Sequence, residues 1–191
     1  AESGVSKFSD LEGKTILLGK GSFGAKEGAK YLKLFGLGGK VKLANVELNN
    51  AVPAIKNRQI DGFVTAGSYP APNVIEAAAG IGVTLISLSD AQVKKSKRTR
   101  LIIPAGTYPG IDTDTVTTSL PVIAYTISNM NNETAYQLTK TYWNQIASMG
   151  KAFPWWNGVS GKMLTNIYGK IHAGALRYYD EAGINVPSAN R

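Results

Sequence analysis

The 191-residue chain has no cysteine and a single histidine, His172, which excludes a disulfide framework, thiolate metal sites, a cysteine nucleophile and any histidine cluster for zinc or iron. A count of 21 Lys and Arg against 13 Asp and Glu gives a net charge of +8, compatible with nucleic acid, an acidic membrane surface or an anionic small ligand. Hydrophobic residues at 43% and charged residues at 18% argue against wholesale disorder, and no apolar run approaches the roughly 18–20 residues of a membrane span. The length suits one domain or two small lobes. Ala1 follows no basic, apolar leader, so the expectation is that an export signal is either removed or never present.

Residues 1–13 read as a polar lead-in. Thr15-Ile16-Leu17-Leu18 is then a short apolar strand, Gly19-Lys20-Gly21-Ser22-Phe23-Gly24 turns the chain, and Ala25 to Phe35 resumes with helical spacing. A helix that starts behind such a corner presents unpaired backbone N–H groups at its positive end, a seat for phosphate or carboxylate. Gly36-Leu37-Gly38-Gly39 stops that helix. Val41 to Val46 alternates as a strand, and Asn50 to Asn57 is amphipathic, with Ala51, Ala54 and Ile55 on one face. Ile60 to Thr65 is strand-like and ends at Gly67-Ser68-Tyr69-Pro70; Ala71 to Ala79 is a helix with Pro72 in its first turn, and Val83 to Leu88 a further strand. Strands alternating with helices over residues 15–88 predict an α/β fold with a mostly parallel sheet.

The basic run Lys94-Lys95-Ser96-Lys97-Arg98-Thr99-Arg100 has no interleaved aromatics to stack bases, so it reads first as a solvated face, then as a partner-docking or lipid-facing surface, and not as a nucleic-acid site. Leu101-Ile102-Ile103 leads into a turn at residues 104–110, and Thr113 to Ile127 is rich in Thr, Val and Ile, as a long strand or crossover segment is. From Asn131 the pattern is helical, with Asn132 as cap and Ala135, Leu138, Thr139, Tyr142 and Ile146 on one face. Residues 153–170 hold Phe153-Pro154-Trp155-Trp156 and an amphipathic stretch, and a last helix runs from Ala173 to Ala182. Trp155-Trp156 and Tyr178-Tyr179 are most simply packing residues.

The corner fits G-x-G-x-x-G, but a kinase is excluded by the absence of a Val-Ala-Ile-Lys strand, a His-Arg-Asp loop and an Asp-Phe-Gly segment. A dinucleotide site asks for an acid ending the second strand, and Glu47 instead opens a helix. A purely structural corner remains the plain alternative to an anion seat. Nucleophilic catalysis has little to work with, since no Gly-x-Ser-x-Gly elbow occurs and a lone His before a helix reads as a hydrogen-bonded structural residue. Asp61, Asp112 and Asp114 are the candidate acid–base groups, with Asp61 more simply a cap or turn residue.

Six segments, in order, resemble the substrate-binding proteins of TAXI-type TRAP transporters. Asp10-Leu11-Glu12-Gly13-Lys14 is similar to that family's Asp-Leu-x-Gly-Lys before its second lobe, and Gly21-Ser22-Phe23-Gly24 to its Gly-Ser-Gly-Thr corner. Ala51 to Phe63 resembles its helix and following Gly-x-Ile-Asp-Ala, and Gly67-Ser68-Tyr69-Pro70-Ala71-Pro72 resembles its Gly-x-Pro loop. Pro104-Ala105-Gly106-Thr107-Tyr108 resembles its Ile-Pro-x-Gly-Thr-Tyr turn, and His172 to Tyr179 its terminal His-Pro-Gly-Ala signature. Phe23 and Ala25 stand where Gly and Thr are expected, and Ala173 replaces the proline after His172.

The resemblance implies a type II periplasmic-binding-protein-like lobe with a mostly parallel sheet, followed by crossover strands and C-terminal helices. Residues 14–105 would form the ligand-binding lobe, 106–127 the hinge, and 128–191 helices that normally belong to the other lobe. Members of that family are longer, and this chain starts where their second lobe starts. The expectation is therefore that the C-terminal part exposes apolar faces or repacks by oligomerisation or swapping.

The function implied is periplasmic or extracytoplasmic capture of a small anionic solute (an amino acid such as glutamate or glutamine, or a dicarboxylate) for a membrane-embedded TRAP transporter subunit. No catalytic residue, metal, cofactor or nucleic-acid partner is expected. The ligand-binding candidates are Ser22, Phe23, Gly24, Ala25, Gly67, Ser68, Tyr69 and Tyr108. The alternatives are an enzyme on the same fold acting on an acidic or phosphorylated metabolite, with Asp61 and Glu47 as partners of Ser22, and an effector-binding module of a regulator, which the lack of a helix-turn-helix signature disfavours.

Overall fold

The computed structural model describes residues 4–120 and 122–191, and the chain divides into two compact units, 1–119 and 120–191. The first unit is built on a three-stranded parallel sheet: β1 (Thr15–Leu17) lies between β2 (Lys42–Ala44) and β3 (Gly62–Phe63). Ile16 is paired with Leu43 on one side and with Gly62 on the other. α1 (Phe23–Leu34) leads from β1 to β2, and α2 (Ala51–Lys56) from β2 to β3.

The alternation of side chains along β1 sorts the core into two layers. Ile16 and Leu18 point to one face and pack with Leu32 and Ala25 of α1, while Leu17 points to the other and packs with Ala51 and Ala54 of α2. The helices therefore cover opposite faces, as parallel strands need. Leu17, with 0% exposure, is the most enclosed large side chain.

α3 (Pro72–Ile81) starts at Pro72 and packs beside α2; Val74 and Ala78 meet Phe63, Leu85, Tyr108 and Ile111. α4 (Asp90–Ser96) opens with a capping box between Ser89 and Gln92 and packs on α1. Arg98, just past its end, donates to both carboxylate oxygens of Glu27, at 3.3 and 3.1 Å, so this member of the basic run is held against α1 rather than solvated. β4 (Thr99–Ile103) and β5 (Thr115–Ser119) then form an antiparallel ladder, Ile103 opposite Thr115.

Val83 to Leu88, expected as a strand, joins no ladder. Its link to β5 is sparse: Leu88 N–H donates to Val116 C=O at 2.9 Å, and Val116 N–H donates to the Ser87 hydroxyl. Its side chains still alternate, Val83 and Leu85 toward α3 and Ile86 toward α1, so packing holds it where hydrogen bonds do not. The expected long strand over Thr113–Ile127 shortens to β5; beyond it Val122, Tyr125 and Ile127 are 95%, 92% and 68% exposed.

The second unit rests on α5 (Asn132–Asn144) packed against α7 (Ala173–Glu181), with α6 (Ile146–Ala152) between them in sequence. Asn131, not Asn132, caps α5: its side-chain oxygen accepts from the amides of Glu133 and Thr134. The buried face of α5 is also rotated from expectation. Ala135 and Tyr136 are buried whereas Leu138 and Tyr142 are exposed, because Tyr136 and Trp143 pack on Tyr178 and Tyr179. Gly174 lets α7 approach α5 closely, since a Cβ there would collide with the Asn132 carbonyl and lie 2.9 Å from Ala135 Cβ. Within residues 153–170 the amphipathic stretch forms two 3-10 turns, Pro154–Gly158 and Gly161–Asn166, with Pro154, Gly158 and Gly161 keeping them short.

Candidate functional site

Loops following the three parallel strands gather at their carboxyl ends. Gly19, at φ +78°, begins the corner after β1, and a Cβ there would stand 3.0 Å from Leu48 in the loop after β2. Gly24 sits against Ala66 in the loop after β3: a Cβ would meet the Ala66 amide nitrogen at 3.2 Å. From this edge the chain leaves β1 for α1 on one face and leaves β3 for α3 on the opposite face. The crevice between β1 and β3 is thus a topological switch point, the place where open α/β sheets hold ligands.

Ser22 is the N-cap of α1, with φ −81° and ψ 159°. Its hydroxyl donates to the Gly19 carbonyl at 2.8 Å and accepts from the Ala25 amide at 3.0 Å. The hydroxyl proton of Ser22 and the amide of Ala25, two of the ligand-binding candidates, are therefore occupied in holding the corner. The amides of Phe23 and Gly24 stand at the first two helical positions and have no intrahelical acceptor; Phe23 is exposed and borders open space, whereas Gly24 is buried.

A hollow of ≈ 550 Å³ opens here, lined by Gly21, Ser22, Phe23, Ala25 and Lys26. Phe23, 56% exposed, supplies an apolar wall, and the exposed Lys26 adds a cation one helical turn after Ser22. Sequence reading passed over Lys26; its spacing of four from the cap was the available signal. Gly67 and Ser68 are exposed in the loop after β3, next to Ala66. Tyr69 is half-buried and donates a long bond, 3.5 Å, to the Ile102 carbonyl.

Tyr108 stands apart from this group. It is 3% exposed among Val74, Ala78 and Ile111, and its oxygen accepts from the Ala71 amide at 2.9 Å, just before α3. Burial pushes its hydroxyl pKa up, so it stays protonated. Its place is beneath the loop, holding the start of α3.

The acid–base candidates lie elsewhere. The Asp61 carboxylate accepts from the Thr15 amide at 2.7 Å, at the amino end of β1 and so at the edge opposite Ser22. Asp114 accepts from Ala105 N–H at 2.9 Å. His172 caps α7: Nδ1 accepts from Gly174 N–H at 3.1 Å, so Nε2 carries the proton that reaches the Met130 carbonyl, also at 3.1 Å. Among the described residues no group of three or more His, Asp or Glu gathers to hold a metal ion. A second hollow, ≈ 540 Å³, follows α5 past Thr134, Leu138, Thr141 and Tyr142.

A sequence profile of the NMT1-like family matches residues 1–183. The chain belongs to the NMT1-like family. That family is periplasmic-binding-like: its general role is to bind a small substrate for a transporter, usually outside the cytoplasm. The α/β lobe with its parallel sheet fits an NMT1-like protein, and no helix among the described residues is long and apolar enough to cross a membrane.

Proposed function

We propose that this NMT1-like protein is an extracytoplasmic solute-binding protein of the TAXI kind, taking a small acidic solute for a TRAP-type transporter without covalent chemistry. The solute is an amino acid such as glutamate or glutamine, or a short dicarboxylate. The observation that carries this reading is the exposed first helical position, Phe23, whose amide has no intrahelical acceptor, at the positive end of a 12-residue helix on the carboxyl edge of the sheet. A carboxylate docked there would receive a charge-assisted hydrogen bond from the Phe23 amide, contributing about 1.5–3 kcal/mol, and Lys26 would balance its charge. Phe23 would pack against the solute's carbon chain, and Gly67 and Ser68 would face it from the loop after β3.

Asp61 supports a binder over an enzyme, because its engagement at Thr15 leaves Ser22 without a nearby base from that residue. The decisive measurement is calorimetric titration with glutamate, glutamine and short dicarboxylates. Phe23→Pro keeps the helix start, since proline is accepted at the first helical position and Ser22 already has the extended backbone that precedes proline. It deletes one open amide, and affinity should fall by about tenfold or more relative to Phe23→Ala, which removes only the ring. Equal affinity in the two variants, or no binding of any acidic solute by the parent chain, refutes the assignment.

A further inference from the structure

The two helices on the outer side of the first unit carry an unbalanced set of cations. Lys26, Lys30 and Lys33, spaced four and three apart, lie along the exposed side of α1. Lys94, Lys95 and Lys97 are exposed at the end of α4, which packs on α1. Each helix has one acid, and each is answered by an arginine: Glu27 by Arg98 at 3.1 Å and Asp90 by Arg100 at 3.6 Å. The six lysines have no acidic partner among the described residues. Like charges held together in this way lower stability, so their clustering asks for a reason.

We propose that this α1–α4 face rests on an anionic phospholipid surface, orienting the protein at the membrane. The chemistry favours lipid over the other polyanions. Lysines are compact, mobile point charges that suit a diffuse array of headgroup phosphates, whereas protein partners select aromatics and arginine forks around a desolvated centre. The two arginines of this face are taken up in ion pairs, and no aromatic is interleaved in the 94–100 run to stack bases. Headgroup attraction accumulates lysine by lysine and fades within a Debye length, which gives reversible docking.

The test is co-sedimentation of the whole chain with phosphatidylcholine vesicles, with and without phosphatidylglycerol. Binding should need phosphatidylglycerol and be released by salt. The variant K30E/K33E/K94E/K95E should bind at least about tenfold more weakly, while the second-unit control K151E/K162E should stay within about twofold of the parent. Thermal melting establishes that each variant is folded; if the fourfold variant is not, Lys94→Gln with Lys95→Gln replaces it, with a smaller loss expected. No binding to phosphatidylglycerol vesicles overturns the proposal, as does full binding by the folded variant. Equal losses per lysine reversed in variant and control overturn it too, since net charge alone would then act. Lys26 is left intact because it borders the solute hollow, so calorimetric solute binding should survive in the lysine variant.

Discussion

Ser22 illustrates how a hydroxyl's position can be legible in a sequence while its hydrogen-bond partners are not. The Gly-Ser corner marks where a helix begins, and a serine before a helix is a natural cap. Sequence alone does not say which way the hydroxyl proton points; in the structure it is engaged by the Gly19 carbonyl, while the exposed Phe23 amide has no intrahelical acceptor. Ser22→Ala should therefore cost about 1 kcal/mol of stability through the lost cap, measurable by chemical denaturation. Its effect on solute affinity should be smaller than that of Phe23→Pro. Tyr108 was legible as part of a turn but not as a buried residue, because its neighbours Val74 and Ala78 lie more than 25 positions away in sequence. Leu17→Ala, at the most enclosed position of the sheet, should destabilise the first unit by about 2–5 kcal/mol in the same assay.

At the scale of elements, the β–corner–α pattern of residues 15–35 was plain in the sequence because strand and helix periodicities change at a glycine-rich break. The failures share a physical cause. Val83 to Leu88 has a strand's alternation, yet alternation records burial, not hydrogen bonding, and this segment has the first with only the sparse link of Ser87 and Leu88 to Val116. On α5 a regular apolar spacing pointed to Leu138 and Tyr142, while Tyr136 and, in part, Trp143 took the interior against Tyr178 and Tyr179. The α5–α7 contact depends on Gly174, so Gly174→Ala should destabilise the second unit by about 1–3 kcal/mol and lower its melting temperature.

The same contact carries a pH dependence. Glu181 is held below its ordinary value of 4.5 by bonds from Tyr136 and Lys140. Glu133 is likewise lowered, by bonds from Gln137 and Arg177. Carboxyls with lowered folded pKa values stabilise the fold above their unfolded values, and that contribution is lost as pH falls through the folded ones. The second unit's melting temperature should therefore drop on acidification below about 4.5, and Glu181→Gln should flatten that dependence. The effect should be modest and reduced by salt, since these groups face solvent.

For the whole molecule, an α/β lobe followed by helices was legible, and so was a positive charge without the aromatics of a nucleic-acid binder. The division after residue 119 was less visible, because Thr115 to Ile127 reads as one β-rich stretch although only its first part is paired. Each unit closes its own hydrophobic clusters on its own side of that division. Beyond β5, Tyr125 stands almost fully in solvent, and no lysine or arginine occurs between Arg100 and Lys140. Chymotrypsin at limiting dose should thus nick the chain after Tyr125 while trypsin spares the whole interval, leaving two pieces that each keep their circular dichroism and can be studied apart.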